Sequence, residues 1–125
     1  MAARFGEVTS VESGSGAVHD LIFNLERAGV PVRVEQNTAE KYLESLERPP
    51  ACVLLDPPRA GMGKQVARRL LELSPPRVVI VACDPATLAR DLRVMLDGGY
   101  SIDRITLIDL FPQTFHLETV VRLKR

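Results

Sequence analysis

Residues 81–92 read VACDPATLARDL. A cysteine closes an apolar run, and an Asp, a Pro and an amphipathic helical pattern follow at once. That order predicts a buried strand running into a capped helix. Asp84 suits the N-cap, and Pro85 suits the first helical position, where its missing N–H costs nothing. Cys83 therefore stands at a strand tip beside a helix N-terminus. Free N–H groups and the positive end of the dipole favour a thiolate there. Two readings follow: a small buried hydrophobe, the commoner role of a cysteine, or a nucleophile.

Outward from this junction the same alternation runs through the chain. Upstream, RVVIVAC (77–83) and ACVLLD (51–56) are continuous apolar runs, as expected of strands covered on both faces. Between them GKQVARRLLEL (63–73) has Val66, Leu70 and Leu73 on one helical face. Nearer the start, GEVTSVE (6–12) and VPVRVEQ (30–36) read as strands. Val18, Leu21, Ile22 and Leu25 make the apolar stripe of a helix that Gly29 would end. TAEKYLESL (38–46) is a short helix with Thr38 as N-cap. Downstream, the helix 85–99 ends on a glycine pair, and SIDRITLIDLF (101–111) and HLETVVRLK (116–124) are closing strands. Repeated strand–helix units predict a mostly parallel sheet, and the short last connection predicts an antiparallel hairpin. The whole chain, 1–125, reads as part of one domain.

Composition narrows the function classes. The chain has 125 residues, 46% of them apolar, with 16 basic against 16 acidic side chains. A globally basic nucleic-acid binder is not indicated, although a local basic face remains open. Two cysteines without a spacing pattern speak against a disulfide scaffold or a zinc site, and no metal is expected. No apolar run approaches the ~20 residues of a membrane span, and the start lacks the apolar core of a signal peptide. A cytoplasmic protein is expected.

In sheets of this kind ligands bind at the carboxyl ends of the strands, so the residues just beyond each strand carry the information. Asp56 opens LLDPPRAG, whose two prolines stiffen the loop and allow a flat ring to lie against it. The bland reading is a proline-rich turn with a solvated Asp and Arg. Glu118 lies two residues beyond His116, so both point to one side of a strand, and a carboxylate in a concave site is a candidate general base. Its bland reading is an ordinary strand-edge Glu. Glu12 sits where an acidic side chain accepts from ribose hydroxyls. The following ESGSGAV lacks the full dinucleotide glycine spacing. Cys52 begins a buried strand and reads as packing.

Taken in order, DPPRAG, ACDPATLARDL and DLFPQTFHLETV resemble the RNA uracil-5-methyltransferases, with VTSVESGSGAVHDLIFNLERAG extending the likeness over nearly the whole chain. That family's motifs read DPPR or DPAR, Ser-Cys-Asn/Asp-Pro-x-Thr-x-x-Arg-Asp, and a Phe-Pro loop ending in His-x-Glu. Here Ala82 replaces the serine before the cysteine. The resemblance implies a Rossmann-like class I methyltransferase fold, S-adenosylmethionine as cofactor and RNA, ribosomal or transfer, as substrate. It implies Cys83 as the nucleophile that adds to uracil C6 and Glu118 as the base that takes the C5 proton. It implies Glu12 at the adenosyl ribose, Thr38 or Asn37 at the adenine edge, and Asp56 around the uracil and methyl donor. Arg59 and Arg90 serve either RNA phosphates or the local fold.

The family's first strand and glycine-rich loop should precede GEVTSVE, where only MAARFG stands. A fold lacking those elements is the expectation, as in the carboxyl part of a catalytic domain, with weak cofactor binding by the chain alone. Sheet edges left open by that loss would favour a homo-oligomer. Two other readings compete. One is an amino-directed methyltransferase, where Asp-Pro-Pro loops also occur but no covalent cysteine is needed. The other is a noncatalytic interaction module derived from the fold.

Overall fold

Each strand–helix unit read from the sequence is present in the computed structural model, which describes residues 6–110, 113 and 117–125. The order is β1 (Thr9–Glu12), α1 (Ser15–Ala28), β2 (Arg33–Gln36), α2 (Ala39–Ser45), β3 (Val53–Leu55), α3 (Gly63–Leu73), β4 (Arg77–Ala82), α4 (Pro85–Asp97), β5 (Ser101–Ile108) and β6 (Glu118–Lys124). The chain divides into two compact units, Met1–Ser45 and Leu46–Arg125.

In the first unit β1 and β2 pair in parallel, from Thr9 opposite Arg33 to Glu12 opposite Gln36. The predicted caps are in place. Gly29 ends α1 in the left-handed conformation, φ 62°, and the Thr38 hydroxyl accepts the Lys41 N–H at 3.3 Å. The apolar stripe of α1 is only partly covered. Val18 is buried and Leu21 and Leu25 are half-buried, while Ile22 and the neighbouring Phe23 are 41% and 52% exposed. Within this unit a two-stranded sheet offers too little surface to cover a helix of 14 residues.

In the second unit the strand order is β3-β4-β6-β5. β3 and β4 are parallel, and β6 lies antiparallel to both β4 and β5. The hairpin thus turns back so that its second strand, not its first, lies next to β4. Val66, Leu70 and Leu73 of α3 and Leu88, Leu92 and Met95 of α4 form the core with Val78, Ile80, Val121 and Leu123. Burying each such side chain contributes roughly 1.5–3 kcal/mol. Tyr100 is buried beside them, its hydroxyl donating to the Pro75 carbonyl at 2.8 Å.

One expectation fails here. The runs ACVLLD and RVVIVAC are not covered on both faces. Along β4 the burial alternates, with Val78, Ile80 and Ala82 buried and Val79 and Val81 half-buried, and Leu54 of β3 is 45% exposed. Helices α3 and α4 supply one covering layer, so alternate strand residues face outward within this unit.

Candidate active site

Strand direction brings three of the sequence motifs to one edge of the four-stranded sheet. Asp56 follows β3 and Cys83 follows β4, and these strands are parallel, so both residues leave the same edge. β6 runs the other way, so its first residue, Glu118, also lies there. The last pair of the β4–β6 ladder is Ala82 with Thr119. Cys83 and Glu118 are the next positions on their two strands.

The loop after β3 and the β4–α4 junction share a small cleft. It is lined by Pro57, Pro58 and Arg59 from the first and by Cys83, Asp84 and Thr87 from the second. Cys83 and Glu118 are half-buried and Asp56 is exposed. Asp84 caps α4 as predicted, in extended conformation, with its Oδ1 accepting the Thr87 N–H at 2.7 Å. Hydrogen bonds from Thr87 hold its carboxyl below the usual range. Partial burial opposes them, and the Arg59 guanidinium adds to them.

Cys52 is half-buried, as Cys83 is, with its thiol near the Val53 carbonyl at 3.9 Å. It is less shielded than a core position would be. What separates the two cysteines is place: Cys52 precedes β3 and Cys83 follows β4, at opposite edges of a parallel pair. His116 lies outside the described residues. Among the described residues no cluster of His, Cys, Asp or Glu could hold a metal ion.

Sequence reasoning missed Asp91. Its side chain is buried, 7% exposed, on the core side of α4. Its Oδ2 accepts the Met62 N–H at 2.8 Å, and its Oδ1 accepts from Nε and Nη2 of Arg90 at 3.2 and 3.0 Å. Arg90 also donates from Nη2 to the Ala60 carbonyl at 2.7 Å. Arg90 thus takes part in the local fold. The signal was available: Leu88, Asp91, Leu92 and Met95 follow i, i+3, i+4, i+7, so a charge falls on an apolar stripe.

In the first unit Glu12 and Thr38 stand at the carboxyl edge of β1 and β2. Glu12 Oε1 accepts the Gly14 N–H at 2.7 Å, and its backbone carbonyl accepts from Asn37 at 3.1 Å. Asn37 Oδ1 accepts the Thr38 N–H at 2.9 Å. The Glu12 carboxylate thus uses one oxygen on Gly14 and keeps the other as an acceptor.

Comparison with known proteins gives the family and the fold. A family model described as tRNA (Uracil-5-)-methyltransferase matches residues 38–125. An uncharacterized RNA methyltransferase of Streptomyces avermitilis is 43% identical over 120 residues, covering 95% of this chain and 28% of the relative. One from Thermotoga maritima is 47% identical over 90 residues, covering 72% of this chain and 20% of the relative. The chain thus spans about a quarter of the length of these relatives. Among solved structures, the Pyrococcus abyssi tRNA (uracil-54, C5)-methyltransferase in complex with S-adenosyl-L-homocysteine superposes with a TM-score of 0.86 at 33% identity, covering 98% of this chain and 30% of that one. The fold is the class I methyltransferase fold.

Proposed function

The chain belongs to the tRNA (uracil-5-)-methyltransferase family, and on that premise we propose that it carries the nucleophile and base for methylating uridine C5 in RNA. Transfer RNA is the first substrate to test and ribosomal RNA the second, both in the cytoplasm. Bound S-adenosylmethionine would supply the methyl group through cleavage of its S–CH3 bond, leaving S-adenosylhomocysteine. We assign Glu12, Thr38 and Asp56 to cofactor binding, each by its place just beyond the carboxyl end of a strand.

Uracil C5 is a weak nucleophile. The Cys83 thiolate adds to C6, which breaks the C5–C6 double bond and leaves carbanion character at C5. Once C5 bears the methyl group, Glu118 takes the C5 proton. Re-formation of the double bond then expels the Cys83 thiolate, so one hard step becomes several easier ones. Both assignments find support in a single observation: the β4–β6 register that makes Cys83 and Glu118 neighbours at the strand ends. The cleft that Cys83 shares with Pro57, Pro58 and Arg59 sets the proline loop beside the thiol.

Transfer RNA containing 5-fluorouridine tests the reading. Fluorine at C5 cannot leave as a proton, so the covalent complex persists after methylation. A shifted band on a denaturing gel, mapped by peptide sequencing to Cys83, is expected. Attachment at Cys52, or methylation of uridine by Cys83→Ala, overturns the proposal.

A further inference from the structure

We infer that Asp91 is a positioning residue, which fastens the Asp56–Met62 loop to α4 and so sets how closely that loop covers Cys83. The inference rests on the reading of Cys83 as the reacting group, and it adds a residue that does not touch the base.

Three observations carry it. First, a nearly fully buried carboxylate spends both oxygens on the two ends of one device. Oδ2 takes the Met62 N–H, at the start of α3, and Oδ1 takes the Arg90 guanidinium, which reaches on to the Ala60 carbonyl. The loop is therefore held at Ala60 and Met62 from two adjacent residues of α4. Second, the residue between them has no room to vary. Gly61 has φ 91°, and a Cβ there would overlap Arg90, Asp91 and the Thr87 methyl group. Its N–H closes a turn onto the Pro58 carbonyl at 2.8 Å. The loop backbone meets the α4 side chains here with no side chain of its own between them. Third, Asp91 and Gly61 line the same cleft as Pro57, Pro58 and Cys83. The fastening lies within the cleft, and the prolines transmit it stiffly, because their φ is locked.

A carboxylate in this place also lies at the positive end of α3, whose N-cap residue, Met62, offers no side-chain acceptor of its own. Loss of Asp91 removes that acceptor and the anchor of Arg90 together. The loop is then free to lift from Cys83, while α4 keeps Leu88, Leu92 and Met95 in the core.

The test uses the 125-residue chain with Cys52→Ser, so that Cys83 is the one thiol. Two quantities are read: exchange of the Met62 amide by NMR and the rate of Cys83 alkylation by N-ethylmaleimide. In Asp91→Ala, Met62 exchange and Cys83 alkylation both rise about tenfold or more, while the Leu92 and Met95 amides keep their protection. In Asp91→Asn, whose amide oxygen can still accept from Met62, alkylation stays within about threefold of the parent. Faster Met62 exchange with unchanged alkylation overturns the inference, since the loop would then be released without effect on Cys83. Equal acceleration in Asp91→Asn and Asp91→Ala also overturns it. Neither result bears on whether Cys83 joins to 5-fluorouridine, so the failure of the catalytic reading is seen separately.

Discussion

Ala82 of β4 stands opposite Thr119 of β6, the last step of an antiparallel ladder, and the residues just beyond them are Cys83 and Glu118. One strand pair thus delivers a thiol and a carboxylate to the same edge from positions 35 residues apart in sequence (118 less 83). In a chain active on RNA, Glu118→Gln removes the base and leaves the nucleophile. The expected result is a covalent protein–RNA band that accumulates with unmodified uridine and methyl donor, because the C5 proton stays. Release falls by about 100-fold or more, the usual scale for a lost general base. Normal turnover by Glu118→Gln refutes the role.

Asp84 links the local fold to pH. Its folded-state pKa lies below the ordinary value of 3.8, chiefly through the Thr87 N–H. A depressed carboxylate stabilises the fold above the unfolded value, and that contribution is lost as pH falls through the folded value. Asp84→Ala is therefore less stable than the parent near neutral pH, and the gap narrows in strong acid. Thermal melts at about pH 7 and about pH 3 check this; a gap that does not change with pH shows that the cap's charge is irrelevant.

The one-sided cover of the second unit predicts unequal costs for equal substitutions. Leu70 is fully buried and Leu54 is 45% exposed. Leu70→Ala costs about 2–5 kcal/mol, and Leu54→Ala about 1 kcal/mol or less. Urea unfolding of the two variants measures the difference, and similar midpoints would contradict the layer described.

β5 is an edge strand with Ile105 and Leu107 exposed, the latter at 64%. An apolar edge invites pairing with another copy of the chain. Sedimentation equilibrium is expected to give a mass above that of the monomer at high concentration, and Leu107→Lys to lower it toward the monomer. A concentration-independent monomer mass for the parent chain rules this out.

Much of this protein was legible in the linear order of its residues. Helix starts and stops follow from short-range chemistry: Asp84 and Thr38 offer acceptors to N–H groups three residues on, and Gly29 tolerates a left-handed cap. Every strand and helix could be placed because periodicity is a property of neighbours. The order DPPRAG, ACDPATLARDL, HLET likewise marks Asp56, Cys83 and Glu118 as residues at strand ends. Tertiary structure decided what depends on distant partners. Continuous apolar runs such as RVVIVAC do not say how many layers cover them, because hydrophobicity is written for each residue and burial is a property of the packed assembly. The insertion of β6 between β4 and β5, which makes Glu118 the neighbour of Cys83, is a matter of register between strands far apart in sequence. Asp91 shows the same division. Its charge on an apolar stripe is visible in the sequence, but its use depends on the Met62 N–H and the Arg90 guanidinium, which only the folded chain brings to it.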